Sequence, residues 1–349
     1  MQPRSRHRKR CLSIAAFAVF AILIPRVGHA ADYYADKTLT LVVGFPTGGG
    51  FDAFGRTVAR HLGQHIPGKP NIIVQNMPGV SSLNAANWLF NKAPQDGTVI
   101  GLIHGTATLE PLFQNDKALF DVRRFNWIGS PSTEYGIAFT WHTSKTHTIE
   151  DARSRETPMA GISAGAPANF MTVLQNNLLG TQLKLVTGYP GTGAAALAIE
   201  RGEVEGIGGW YWSSLITEKP DWVRDGKVNI FLQVSLEAHP YLSKRGVPFI
   251  LDLVQDPLGR RMVEVGLAFL SIGRPFVAPP GVPAERVAVL RAAFDLTVAD
   301  PAFLRDAEVR RLPVESPKSG QELEKLLDKV YATPQAVVDK VIVLHKHTR

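Results

Sequence analysis

Hydrophobic and polar residues alternate along this chain in blocks that are typical of an α/β protein. Residues 39–45 are apolar and rich in β-branched side chains, as expected for a strand buried in a parallel sheet. A glycine-rich break follows, and from Phe51 to Ile66 apolar residues recur every three or four positions, which predicts an amphipathic helix. Further strands are predicted at 71–74 and 98–103. This order, with short connections, predicts a doubly wound sheet.

The middle of the chain repeats the strand and helix alternation, and the tail is helical. Ser319 and Glu322 match a capping box at the start of a helix. Ser81 or Ser82 is expected to cap the helix that begins near Leu83. The strands predicted in the middle region are 136–141, 158–162, 184–187 and 228–232.

The first thirty residues have the pattern of an export signal. Basic residues precede an apolar run at 12–24, Pro25 ends the run, and Gly28 and Ala30 place small residues where a signal peptidase cuts. The run is too short to span a bilayer as a stable helix. We expect 1–30 to be a cleaved signal peptide and the mature protein to be periplasmic. An uncleaved anchor is the alternative.

Removing this leader changes the charge and the cysteine content. Six basic residues of the leader account for all but one of the formal charge of +7. The nearly neutral remainder argues against nucleic-acid binding, which needs a strongly basic surface. The sole cysteine, Cys11, lies in the leader, so we expect no disulfide, no thiol nucleophile and no thiolate metal ligand in the mature chain. Its length favours two lobes over one core.

Three glycine-rich loops, at 45–50, 161–165 and 189–193, each follow a predicted strand and precede a predicted helix. Strand carboxyl ends share one edge of an open α/β sheet, and helix amino termini there favour anions. None of the loops contains lysine or arginine. Backbone N–H groups, the hydroxyls of Thr47, Ser163 and Thr192, and water are therefore the expected anion contacts. For any one loop, a simple need for a tight turn remains the alternative.

Several motifs in order resemble the receptors of tripartite tricarboxylate transporters, the Bug-type solute-binding proteins. They cover nearly the whole mature chain, from the Phe-Pro-x-Gly-Gly turn at 45–49 to the Pro-Pro-Gly-Val-Pro stretch at 279–283. Between these motifs lie the Asn-x-Pro-Gly turn at 76–79, the Ala-Pro-x-Asp-Gly-Thr turn at 93–98 and Gly-Tyr-Pro-Gly at 188–191.

The resemblance implies a type II periplasmic-binding-protein-like α/β fold with two doubly wound lobes joined by a hinge. Lobe 1 is expected to be discontinuous, at 31–132 and 235–349, and lobe 2 to be 133–234. The implied function is capture of a small organic carboxylate between the lobes and its delivery to membrane permease subunits. No catalytic residue, metal or cofactor is implied, and we expect a monomer that binds no nucleic acid.

The resemblance implies most of the residues that hold the ligand, and the positions of Ser81, His104 and Trp210 in this sequence add these three. Asp52 matches the acid that opens the first helix; it either orients the loop or receives a ligand amine, and a plain first-turn acid is the alternative. His104 follows a strand and is a candidate for the cleft. Trp210 belongs to an aromatic segment where the family is more polar, and it either contacts the ligand or packs in the core. The full expected set is Phe45, Thr47, Gly48, Gly49, Asp52, Ser81, His104, Ser163, Gly165, Tyr189, Gly191 and Trp210.

Other residue patterns carry less weight. His61 and His65 are one helical turn apart, as in a metal pair, but exposed helix positions are the preferred interpretation. Arg56 is expected to face solvent rather than an anion. An exported enzyme acting on a carboxylate, or a sensor that presents its ligand to a receptor, are the alternative functions; no Gly-x-Ser-x-Gly nucleophile motif is present.

Overall fold

The computed structural model describes residues 33–162 and 166–347, so the predicted leader 1–30, Ser163 and Gly165 lie outside the described residues. The strands are β1 (Thr38–Val43), β2 (Asn71–Asn76), β3 (Val99–Leu102), β4 (Asn126–Ser130), β5 (Gly136–Trp141), β6 (Thr157–Ile162), β7 (Leu183–Tyr189), β8 (Gly206–Tyr211), β9 (Val228–Gln233), β10 (Phe276–Ala278) and β11 (Lys318–Ser319).

Helices cover the faces of the sheets. They are α1 (Gly50–His65), α2 (Leu83–Asn91), α3 (Ile149–Ser154), α4 (Pro167–Leu179), α5 (Thr192–Glu200), α6 (Trp212–Glu218), α7 (Pro220–Arg224), α8 (Pro240–Ser243), α9 (Ile250–Leu253), α10 (Pro257–Gly266), α11 (Ala268–Ile272), α12 (Ala284–Ala299), α13 (Pro301–Val309), α14 (Gly320–Tyr331) and α15 (Gln335–Lys346). No helix in the described ranges has the length and apolar character needed to cross a membrane.

The strands form two separate sheets. One has the order β11-β4-β10-β3-β1-β2 and the other the order β7-β6-β8-β5-β9. In the first sheet β1, β2 and β3 are parallel, and β10 runs antiparallel between β3 and β4. In the second, β6, β7 and β8 are parallel while β5 is antiparallel to β8 and to β9. Each sheet is therefore mixed, whereas the sequence pattern predicted doubly wound units.

The chain passes between the two sheets twice, and the strand directions place both connections at the same edge of each sheet. Since β10 is antiparallel to both β3 and β4, the carboxyl ends of β1 to β4 share one edge with the start of β10. In the second sheet the ends of β6 to β9 share an edge with the start of β5. The chain passes from the end of β4 to the start of β5 and returns from the end of β9 toward β10. The loop-bearing edges of the two sheets therefore adjoin the hinge.

Hydrophobic clusters fill both lobes and continue between them. One cluster lies under α1 and α12 in the first sheet, and another packs the tryptophans of the second sheet. A third cluster includes Val42 of β1, Ala138 of β5 and Leu270 of α11, so it spans both sheets and the returning segment. The expected fold of two α/β lobes is confirmed. The boundaries predicted at 132 and 234 stay a prediction.

Candidate functional site

The first glycine-rich loop ends at an uncapped helix start. Gly49 is the N-cap of α1, and its carbonyl accepts the first helical bond, from the N–H of Ala53 at 2.9 Å. No side chain caps this end. The N–H groups of Gly50 and Phe51 consequently have no partner within the helix and carry partial positive charge. The geometry suits a small anion lying in front of α1.

Asp52 holds this loop in place. Its side chain is buried, and Oδ2 accepts hydrogen bonds from the N–H of Gly48 and from Nε of Arg56, both at 2.9 Å. Oδ1 accepts from Nδ2 of Asn76 at 2.8 Å. Burial alone would raise the pKa of Asp52, but these hydrogen bonds outweigh burial and hold the pKa below its usual value. The contacts favour the loop-orienting role of Asp52.

Two consequences follow for the predicted contacts. The N–H of Gly48 is already bonded to Asp52, so the open amides are those of Gly49 and of the first turn of α1. Arg56 is not a purely solvent-facing residue, since it also donates to Oδ1 of Asn76 at 3.1 Å.

Asn76 is a positioning residue that sequence reasoning missed. In addition to its bond to Asp52, Nδ2 donates to the carbonyl of Phe45 at 2.9 Å, and the hydroxyl of Thr47 donates to Oδ1 at 3.3 Å. Asn76 thus ties the first half of the loop, and Asp52 of α1, to the end of β2. Its place in the Asn-x-Pro-Gly turn was the available signal, but the motif alone does not reveal these partners.

His104 packs against the first loop. Its ring lies 5.8 Å from that of Phe45 and 5.2 Å from that of Phe51. Burial, reinforced by the charge of Arg274, lowers the pKa of His104 to about 4, so the ring is neutral at pH 7. The N–H of Thr106 donates to Nδ1 at 3.1 Å. The proton of the neutral ring therefore resides on Nε2, which has no protein partner in the described part of the chain.

Ser81 lies in a turn of unusual backbone conformation. Val80, Ser81 and Ser82 have φ values of 44°, 49° and 75°, in the left-handed region. The predicted serine cap is wrong: Ser82 is the N-cap of α2 but makes no side-chain cap bond. Its hydroxyl instead donates to the carbonyl of Gly44 at 3.4 Å and accepts from the N–H of His104 at 3.2 Å. Ser82 therefore links the ends of β1 and β3 and supports the turn that presents Ser81.

The second sheet contributes a looser loop. Tyr189 ends β7 and is partly buried, and Gly191 is the N-cap of α5, again without a side-chain cap. The hydroxyl of Thr192 lies 3.4 Å from Oε2 of Glu218. A side chain added at Gly191 would meet nothing within 4 Å. Space is therefore open in front of the α5 amino terminus.

The two lobes meet around adjoining cavities. One is lined from the first lobe by Ser81 and Thr106 and from the second by Pro167 and Phe170. The other lies on the second lobe, and its lining again includes Pro167, together with Thr192 and Tyr211. Of the described residues predicted from the sequence, Ser81 lines the first cavity and Trp210 the second. Six others lie at the end of the first sheet, and Tyr189 and Gly191 lie at the end of the second.

Trp210 is placed in the core of the second lobe. It is 2% exposed and packs against Phe139 at 5.7 Å and Trp222 at 6.3 Å between ring centroids. Its neighbour Trp212 is also buried. Trp210 borders the second-lobe cavity, but the packing corresponds to the core alternative, and its contact with a ligand stays a prediction.

The paired histidines of α1 bind carboxylates instead of lying free. Nε2 of His61 is 3.1 Å from Asp306, and Nε2 of His65 is 3.0 Å from Asp300. These contacts join α1 to α13. Among the described residues no group of three or more histidine, cysteine or acidic side chains is arranged to hold a metal ion.

The hinge holds a buried ion pair that no local sequence pattern predicts. Glu134 lies between β4 and β5, and Arg274 lies just before β10, 140 positions later. The guanidinium of Arg274 bonds the Glu134 carboxylate and lies over the ring of Phe51 at 5.5 Å. The ring of Tyr211, at the end of β8, is close enough to feel both charges.

Comparisons with known proteins agree with this architecture. No family model matches the chain. Over 198 residues it is 28% identical to an Agrobacterium vitis protein described as the UPF0065 protein in the TAR-I ttuE-ttuC' intergenic region, covering 54% of this chain and 56% of that protein. The chain thus matches only about half the length of that curated relative.

Solved structures match over more of the chain. A TctC solute-binding protein from Polaromonas superposes with a TM-score of 0.68 at 20% identity, over 88% of this chain and 99% of that one. MatC from Rhodopseudomonas palustris with bound malate superposes with a TM-score of 0.60 at 21% identity, over 86% and 99% of the two chains. The chain therefore has the fold of TctC-type solute-binding proteins, and the predicted resemblance to the receptors of tripartite tricarboxylate transporters is confirmed.

Proposed function

We propose that this chain is an extracytoplasmic solute-binding protein that captures a small organic carboxylate in the cleft between its lobes. The observation that carries the proposal is the arrangement of α1 and α5. Both helices begin without a side-chain cap at strand ends beside the hinge, on facing lobes. A carboxylate held there would accept hydrogen bonds from preorganised N–H groups and be shielded from water when the lobes close.

The same proposal assigns location and partners. The predicted leader supports a periplasmic protein, and the TctC-like fold supports delivery of the ligand to membrane permease subunits. We expect the protein to act as a monomer, with Phe45, Thr47, Gly49, Ser81 and His104 on the first-lobe side of the ligand. Ser163, Gly165, Tyr189 and Gly191 are expected on the second-lobe side.

A thermal-shift panel tests this function. Mono-, di- and tricarboxylates, amino acids and aromatic acids are added singly to the protein without its leader. An acid present at a hundred times its dissociation constant should add about 2.7 kcal/mol to the free energy of unfolding. No stabilisation by any acid would contradict the proposal. Chemical conversion of a stabilising acid would favour the enzyme alternative.

A matched pair of variants locates the binding. Gly191→Val adds a side chain in open space at a φ of 176°, which any residue adopts, so the fold is preserved. We expect it to abolish the stabilisation by the acid. Ala299→Val, on an exposed position at the end of α12, should leave it unchanged. Equal responses of the two variants would remove the second-lobe loop from the site.

A further inference from the structure

The hinge between the lobes holds two opposite charges that balance each other. The side chains of Arg274 and Glu134 are 12% and 5% exposed and pair directly. Ser132 accepts from Nη1 of Arg274 at 3.0 Å, and Ser213 donates to Oε2 of Glu134 at 2.6 Å. The carboxylate of Glu134 thus has a partner on each oxygen, and the cation is matched by one anion. The pair brings hydrogen-bond donors to the hinge without a net charge.

The two arginines beside the first loop are already paired, Arg274 with Glu134 and Arg56 with Asp52. The described residues that line the two cavities include no lysine or arginine, and their one carboxylate is that of Glu110. The glycine-rich loops at 45–50, 161–165 and 189–193 carry no charged residue. One ligand carboxylate can therefore bind to helix amino termini, but among these described residues a second carboxylate would find no unpaired cation to bind.

The two charges of the Glu134–Arg274 pair point toward different lobes. On the first-lobe side, the charge that acts on His104 is that of Arg274, which contributes to the low pKa of this ring. On the second-lobe side, burial raises the pKa of Tyr211, Glu134 raises it further, and Arg274 opposes this with a smaller effect. The contacts give the same direction: the guanidinium of Arg274 lies 5.5 Å and 4.7 Å from the rings of Phe51 and Phe54 in α1, whereas Glu134 accepts from Ser213 of α6. The positive end of the pair therefore lies toward the first lobe and the negative end toward the second.

The lining of the second-lobe cavity is mostly apolar. Besides Tyr211, the cavity there is bordered by Ile162, Ala166, Pro167 and Met171. At the first loop the rings of Phe45 and Phe51 stack at 4.4 Å. Contact with such surfaces favours hydrocarbon or aromatic groups over charged ones.

We propose that the cleft selects monocarboxylates with an uncharged, mostly apolar body, and that Glu134 excludes ligands carrying a second carboxylate. The single carboxylate lies toward the first lobe, in front of α1, and the body lies against the second lobe. A second carboxylate at the far end would approach the negative side of the ion pair in a poorly solvated place, where like charges repel strongly. This selectivity rests on the proposed function of carboxylate binding.

Calorimetric titration with matched acids tests the selectivity. Hexanoate is compared with adipate, and benzoate with terephthalate, so that each pair differs by one carboxylate. The wild-type protein should bind each monocarboxylate at least tenfold more tightly than its dicarboxylate. Equal or tighter binding of the dicarboxylates would overturn the selectivity while leaving the proposed function intact. Absence of binding by all four acids and by the wider thermal-shift panel would reject the proposed function instead.

Glu134→Gln identifies the residue responsible. The amide keeps the shape and can still accept from Arg274, but it leaves the guanidinium charge unmatched. We expect the preference for monocarboxylates to shrink at least tenfold. Glu203→Gln, at an exposed position before β8, should leave it unchanged. An unaltered preference in a folded Glu134→Gln protein would overturn the role of Glu134. Should this variant not fold, the monoamide of adipate decides with the wild-type protein: it should bind at least tenfold more tightly than adipate, and equal binding would overturn rejection by charge.

Discussion

The two described glycine-rich loops differ in how firmly they are held. The loop at 45–50 is fixed by Asp52 and Asn76, which together bond its backbone at Gly48 and Phe45. The loop at 189–193 has one long side-chain hydrogen bond, from the hydroxyl of Thr192 to Glu218 at 3.4 Å. The first lobe thus holds its loop in place for the proposed anion, whereas the loop of the second lobe is supported by fewer side-chain contacts.

The largest effect is expected from Asp52→Ala. The substitution leaves the N–H of Gly48 without its acceptor and removes one of the two acceptors of the Asn76 amide, in a largely buried place. We expect a loss of about 3 kcal/mol in the free energy of unfolding and at least a hundredfold weaker carboxylate binding. Urea unfolding and calorimetry measure the two. Glu156→Ala, at an exposed ion pair of the second lobe, is the control; equal losses in both variants would contradict the special role of Asp52.

Acid should weaken the first lobe through His104. The pKa of His104 in the folded protein, about 4, is lower than the ordinary value of 6.5, so the unfolded chain binds more protons between these two values. Stability due to the neutral ring is complete above about pH 6.5 and is lost as the pH falls toward 4, by at most about 3 kcal/mol.

His104→Gln should make this pH dependence shallower. Urea unfolding at pH 7, 5 and 4 compares the variant with the wild type and with His142→Gln, an exposed histidine of the second lobe. A wild-type slope that persists in His104→Gln, or disappears in His142→Gln, would show that another group is responsible.

Alanine substitutions at Gly48 and Gly191 should differ in their cost, because only Gly48 has a left-handed backbone conformation. Gly48 has a φ of 86°, in the left-handed region, whereas the φ of 176° at Gly191 is ordinary extended backbone. We expect Gly48→Ala to cost about 1–2 kcal/mol and Gly191→Ala less than about 0.5 kcal/mol of unfolding free energy. Thermal denaturation measures both. Equal costs would mean that the two loops are held alike.

The smallest effect is expected from Thr192→Val. The hydroxyl that is removed makes a single 3.4 Å contact near the surface, so the free energy of unfolding should change by less than about 0.5 kcal/mol. Chemical denaturation measures the change. A loss as large as that of Asp52→Ala would show that the second loop is as rigidly supported as the first.

The sequence predicted the elements better than the contacts. The strand predicted at 39–45 is observed at Thr38–Val43, and the capping box of Ser319 and Glu322 is present. Local periodicity and capping chemistry determine such features. The mixed strand directions were not predicted, because β10 joins its sheet through pairing with distant strands.

In the candidate site, too, the sequence predicted local features but not long-range contacts. Motifs placed the loops at the strand ends, but the link from Asn76 to Asp52 and the pair of Glu134 with Arg274 join positions 24 and 140 residues apart. No local pattern reports such pairs. The interpretation of Ser82 as a helix cap was wrong for a related reason: its hydroxyl bonds the ends of two neighbouring strands.

The most direct test of the account follows the glycine amides of a ¹⁵N-glycine-labelled protein by NMR while a binding monocarboxylate is titrated to saturation. If the ligand carboxylate lies at the start of α1, the amide chemical shifts of Gly49 and Gly50 should change most. Those of Gly191 and Gly193 should change less, and those of Gly226 and Gly246, which lie in other turns, should not change. Saturable binding that leaves Gly49 and Gly50 unmoved would contradict an anion site at the start of α1.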